Sequence, residues 1–148
     1  MIDTNLKPKQ RQCEKLLRAY YTLPMTIENL KMQAEIAPST ASYEPREGQS
    51  HAAPSSPVET LVFKRDVIRL KEKEYELLAT LRDDKLHQQL VDIWDMRYNP
   101  RHDYNDSQVM LLLGIERKAY YKLRARLLGY IADVFGLWED GKDDPEVR

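Results

Sequence analysis

Cysteine is nearly missing from this chain: Cys13 stands alone among 148 residues. No intrachain disulfide can form, and a zinc site built on thiolates, which draws on two to four of them, is excluded. Histidine is almost as scarce. His51, His87 and His102 are scattered, no HExxH pattern occurs, and neither a glycine-rich phosphate loop nor a nucleophile elbow is present. No catalytic residue, metal or cofactor is therefore assigned. Long apolar runs are missing too. The longest, Val109 to Leu113, has five residues, against roughly 20 for a membrane span. Asp3, Lys7, Lys9 and Arg11 are followed by no apolar stretch, so no secretory signal is read. These absences predict a soluble, cytoplasmic, non-enzymatic protein. Cys13 falls on an apolar helical face and is expected to be a small core residue.

Glycine, with five occurrences, is too rare for a turn-rich β fold, whereas apolar residues recur at three- and four-residue intervals. The fold expected is all-α. A first helix is expected from Lys9 to Leu23, ended by Pro24, with Cys13, Leu16, Leu17 and Tyr20 on one side. A second is expected from Thr26 to Ile36. Residues 38–57 hold four of the eight prolines, five serines and no Leu, Ile, Val, Phe or Met, and read as a flexible linker. A long helix follows from Val58 to Leu81, striped by Leu61, Val62, Ile68, Tyr75 and Leu78. Leu61, Ile68 and Tyr75 stand seven apart, so the stripe suits either a core face or a short dimerising coiled coil. Asp83–Asp84 reads as a break. A helix over Lys85–Tyr98, a loop over Arg101–Tyr104, a helix from Asn105 or Asp106 to Leu113 and a last helix over Glu116–Phe135 complete the pattern. The domain reading is 1–37 helical, 38–57 linker, 58–136 helical domain and 137–148 acidic tail.

Net charge is −1 overall but unevenly placed. Arg117, Lys118, Lys122, Arg124 and Arg126 follow one another with no acid between them, and Glu139 to Arg148 carries five acids against two bases. The stretch 106–125 (DSQVMLLLGIERKAYYKLRA) has the layout of a helix-turn-helix. Gly114 can supply the positive φ of the turn, and Val109, Leu113, Ile115, Tyr120 and Leu123 fill the shared core. Met110 stands where a small residue is usual. Arg117, Lys118, Tyr121 and Lys122 would then face the major groove. Arg124 and Arg126 would take phosphates. The carboxylate pairs Asp83–Asp84, Asp92–Asp95 and Asp103–Asp106 read as caps and solvated faces. Tyr20–Tyr21 and Tyr120–Tyr121 suggest stacking on single strands, but one ring of each pair must face the core.

The run Ile93–Leu128 resembles the C-terminal part of the ArpU/RinA-type phage late-gene transcriptional regulators. The residues that carry the likeness are Met96-Arg97-Tyr98, Asp106, Leu113-Gly114-Ile115, Arg117 and Tyr120-Tyr121-Lys122-Leu123. The likeness covers about a quarter of the 148 residues. Where family members have Ser or Thr capping the second helix, this chain has Glu116. The resemblance implies a sigma-factor-like helix-turn-helix on double-stranded DNA and a phage or prophage activator of late transcription. The N-terminal helices, linker and Val58–Leu81 helix would serve self-association as a homodimer or contact with RNA polymerase. Two other functions remain open at this point. One is a small terminase subunit recognising packaging-site DNA. The other is an anti-sigma or polymerase-binding adaptor without DNA binding.

Overall fold

The structure, a computed structural model, describes residues 7–36 and 57–139. Among them every regular element is helical. These are α1 (Gln10–Ala19), α2 (Leu23–Ile36), α3 (Pro57–Thr80), α4 (Gln88–Tyr98), α5 (Asp106–Leu113) and α6 (Arg117–Phe135). No helix is long and apolar enough to cross a membrane. The chain divides into two compact units. One takes residues 7–21 and 77–139; the other takes 22–76. The expected linker and the acidic stretch from Asp140 onward lie outside the described residues.

The first unit is built on α4. Its Leu90, Ile93, Trp94 and Tyr98 are all buried, at the spacing of one helical face. Against it pack α1, through Cys13 and Leu17, and α6, through Tyr120, Leu127, Leu128, Ile131 and Ala132. The Trp94 indole donates to the Leu17 carbonyl at 2.9 Å, satisfying its one polar atom inside the core. Burial pushes the Cys13 thiol up to about 11, with Glu14 adding to the effect, which leaves the group protonated and unreactive.

Boundaries differ from the sequence reading in four places. The first helix ends at Ala19, and Pro24 lies in the first turn of α2, where its missing N–H costs no hydrogen bond. At Asp83–Asp84 the chain does not break but widens into a π turn over Leu81–Lys85, with the Leu86 amide donating back to Leu81 at 3.1 Å. Third, α4 begins at Gln88 rather than Lys85. Finally, residues 137–139 are not a frayed tail. Pro8 and Trp138 form an antiparallel bridge, the Lys9 amide donating to Leu137 and the Glu139 amide to Lys7, each at 2.7 Å.

In the second unit, Ile68 of α3 and Leu23 and Ile27 of α2 are buried, and Lys31 pairs with Glu72 at 3.0 Å. Ile68 faces the interior, and Leu61 and Tyr75 are half-buried beside it. The heptad stripe foreseen for a coiled coil is therefore the face by which α3 packs within its own unit.

Gly114 and Gly136 have φ of +65° and +67°, and a Cβ on Gly114 would meet nothing within 4 Å. Gly114→Ala should thus cost about 1 kcal/mol through backbone strain alone, with Gly114→Asn milder. Gly129 is helical, and its added Cβ would make an ordinary 3.6 Å contact with the Trp138 ring, so Gly129→Ala should stabilise by about 0.5–1 kcal/mol. Urea unfolding followed by the fluorescence of Trp94 and Trp138 checks the opposite signs.

Candidate nucleic-acid interface

Asn105 caps α5. Its side chain accepts from the Gln108 amide at 2.8 Å, and the Gln108 side chain accepts from the Asn105 amide at 2.9 Å. This reciprocal pair frees Asp106 from the capping role assigned to it. Past Leu113 the chain turns at Gly114, whose left-handed conformation lets the amides of Gly114 and Ile115 return to Leu111 and Met110. Then α6 starts at Arg117 with Glu116 as N-cap and no side-chain hydrogen bond to the helix. Of the residues proposed as the shared core, Val109 and Tyr120 are fully buried, while Leu113, Ile115 and Leu123 are half-buried.

The cations of α6 divide into two groups. Lys118, Lys122 and Arg126, spaced by four, are exposed along one ridge, and Arg117 is exposed at its start. No carboxylate of a described residue lies within ion-pair distance of any of the four. The Arg117 guanidinium stands 5.3 Å above the half-buried Tyr121 ring.

Arg124 belongs to the other group, which corrects its assignment to phosphate. Its Nη2 donates to Glu14 at 2.7 Å and its Nε to the Tyr98 hydroxyl at 3.2 Å, with both ionic side chains only 14% exposed. The Tyr98 hydroxyl in turn donates to Glu14 at 2.7 Å. Asp106 lies 3.8 Å from Arg124 and accepts from Arg97 at 2.9 Å and from the Tyr120 hydroxyl at 2.5 Å. One guanidinium thus joins α1 and α4 directly and reaches toward α5. The spacing held a signal for this. Tyr120, Arg124, Leu127 and Ile131 run 4-3-4 along α6, so Arg124 sits within the buried stripe rather than beside Lys122.

Asp95 is likewise no solvated carboxylate. It accepts both bonds of an Arg82 fork at 2.8 Å and the Tyr21 hydroxyl, while Arg82 lies 5.0 Å from the Tyr20 ring and 5.1 Å from that of Trp94. The adjacent tyrosine pairs are edge-to-face, each 5.2 Å apart between centroids. The rings of Tyr20 and Tyr120 are thereby used inside the fold.

Burial alone would raise Glu14 and Asp106. The hydrogen bonds from Tyr98 and Arg124 to the first, and from Tyr120 and Arg97 to the second, outweigh it and hold both carboxylates below their ordinary values. Burial first, then the Glu14 and Asp106 carboxylates, push the Tyr98 and Tyr120 hydroxyls well up. Among the described residues no group of three or more His, Cys, Asp or Glu side chains could hold a metal ion. A cleft of about 260 Å³ beside α6, lined by Lys7, Gln10, Tyr121 and Glu139 among others, is open and mixed in character. Comparison of the chain with protein-family models, curated proteins and solved structures finds no match.

Arg124→Ala leaves Glu14 without its cation in a largely dry site and should cost about 2–4 kcal/mol. Lys118→Ala and Lys122→Ala, on the open ridge, should each stay within about 0.5 kcal/mol; denaturant midpoints separate the two cases. Because the folded carboxylates titrate below the unfolded values of 4.5 and 3.8, their contribution is complete above those values and is lost as pH falls through the folded ones. Between about pH 7 and pH 3 the urea midpoint should drop, and by less in Glu14→Gln.

Proposed function

We propose that this protein binds double-stranded DNA through α5 and α6 acting as a helix-turn-helix, and that it regulates transcription. The observation that carries this reading is the ridge Lys118–Lys122–Arg126 with Arg117 at its head, exposed and without an acidic partner among the described residues. A protein with a net charge of −1 has no general need for an uncompensated cationic ridge. A phosphate backbone supplies the missing anions, and release of its counterions drives association.

In this reading the first two turns of α6 enter the major groove. Arg117, Lys118 and Lys122 offer donors to guanine O6 and N7, and Tyr121 contacts a thymine methyl group or a phosphate. Arg126, a turn further along, takes a phosphate. Arg124 is left out of the contact set because its donors are already engaged with Glu14 and Tyr98. Its role is to hold α6 against α1 and α4, so that the ridge is presented on a rigid support. The choice of late phage or prophage genes as targets rests on the resemblance of the 93–128 run and on nothing further.

A second reading, a polymerase-binding adaptor without DNA contact, draws on Leu111 and Leu112. They are 82% and 54% exposed on the outer side of α5, a place where an apolar partner surface could dock.

The two are separated by titrating the protein onto a duplex, recovered by selection from random sequence, at several salt concentrations. The DNA reading expects log K to fall linearly with log salt at a slope of about −0.9 per phosphate engaged. Lys118→Ala/Lys122→Ala should weaken binding by at least about tenfold and flatten the slope, with helical circular dichroism unchanged. Absence of salt-dependent affinity in the unaltered chain overturns it in favour of the adaptor.

A further inference from the structure

The second unit turns one face of α3 inward and leaves the opposite face unpartnered. On that outer face Phe63 is 68% exposed, Leu70 67% and Val62 49%. Three large apolar side chains on one exposed helix face are more than solvation alone explains. Met25 and Met32 of α2, 71% and 51% exposed and also seven apart, enlarge the apolar surface of this unit. Met32 follows Lys31, which is paired with Glu72 of α3.

The order of residues along the outer face says what covers it. Between Phe63 and Leu70 stand Asp66 and Arg69, both exposed. Read forward, the face runs apolar, acid, base, apolar; read backward, it runs apolar, base, acid, apolar. Such a face is complementary to an inverted copy of itself. If two α3 helices meet antiparallel with Phe63 of one against Leu70 of the other, Asp66 of each falls beside Arg69 of the other. The two-fold axis makes every one of these contacts twice. Phe63 and Leu70 are about 10 Å apart along the helix, so the matching segment is two turns long. At the usual crossing of about 20–50° the helix ends diverge beyond it, and only this segment has to match. A parallel pairing would set Asp66 against Asp66 and Arg69 against Arg69, and is disfavoured.

We propose that the outer face of α3, centred on Phe63, Asp66, Arg69 and Leu70, is a homodimer interface whose occupant is a second, antiparallel copy of α3. The surface differs from the Leu61–Ile68–Tyr75 stripe, which is engaged within the unit. The inference stands independently of DNA binding.

Charge reversal tests it in the full-length chain by sedimentation at up to about 200 μM, the range a small interface requires. The unaltered protein is expected to sediment as a monomer–dimer equilibrium. Asp66→Arg alone places like charges together at two symmetric contacts and should raise the dissociation constant about tenfold or more, as should Arg69→Asp. The double variant Asp66→Arg/Arg69→Asp restores opposite charges and should return dimerisation to within about threefold of the original. Phe63→Gln, a neutral change at an exposed position, should also dissociate the dimer, and helical circular dichroism certifies the fold of each variant. A chain monomeric throughout the range overturns the proposal. So does a dimer indifferent to the reversals, a double variant no better than the singles, or a ring of eight or more subunits.

Discussion

The arrangement of the first unit depends on one arginine. Three helices far apart in sequence meet at Arg124, which satisfies Glu14 of α1 and the Tyr98 hydroxyl of α4 from its own place on α6. Asp106 of α5, 3.8 Å away, is held chiefly by Arg97 and Tyr120. A guanidinium suits such a junction because its donors are rigidly forked and its charge is never lost. The apolar core beneath, from Leu17 through Trp94 to Ile131, supplies most of the stabilisation. It is indifferent to small rotations of one helix on another, however, and the polar network is not. Its hydrogen bonds have length and direction, so they select one orientation of α6 from the several that the core would tolerate.

That selection matters for the exposed cations. Lys118, Lys122 and Arg126 are useful together only if their ridge faces a single way, and the rotation of α6 about its own axis decides this. Arg124, inside the buried stripe, and Lys122, outside it, are two residues apart and so point about 200° from each other around the helix. One anchors the helix by facing inward, and the other is displayed because of it. Positive charge on α6 is thus of two kinds, and composition alone counts them as one.

Much of the helical framework was legible in advance. The all-α character, the restart of the chain near Asn105, the turn at Gly114 and the end of α6 at Phe135 follow from periodicity, capping residues and the special φ of glycine. Less legible were the features that need a partner from elsewhere in the chain. Asp95 and Asp106 look like solvated carboxylates beside their neighbours, and only the approach of Arg82, Arg97, Tyr21 and Tyr120 gives them a different role. The π turn at Leu81–Lys85 has no sequence signature comparable with that of a proline or glycine. Pro24 was read as a terminator because proline at the end of one helix and in the first turn of the next looks the same locally. Of the cationic segment, Arg117, Lys118, Lys122 and Arg126 are exposed, as the sequence reading requires. The 4-3-4 spacing that buries Arg124 was there to be read, but it was masked by the uniform charge of the stretch.

The unit that carries the cationic ridge is discontinuous: residues 22–76 intervene between α1 and the rest of it. Glu14 meets Arg124 only 110 positions later, and Pro8 is bridged to Trp138. During synthesis on the ribosome, therefore, the opening helix emerges long before any of its neighbours exist. It must keep Cys13 and Leu17 uncovered until nearly the whole polypeptide has left the exit tunnel. Residues 22–76, contiguous along the chain, are free to fold first, and maturation of the ridge is postponed to the final moments of translation.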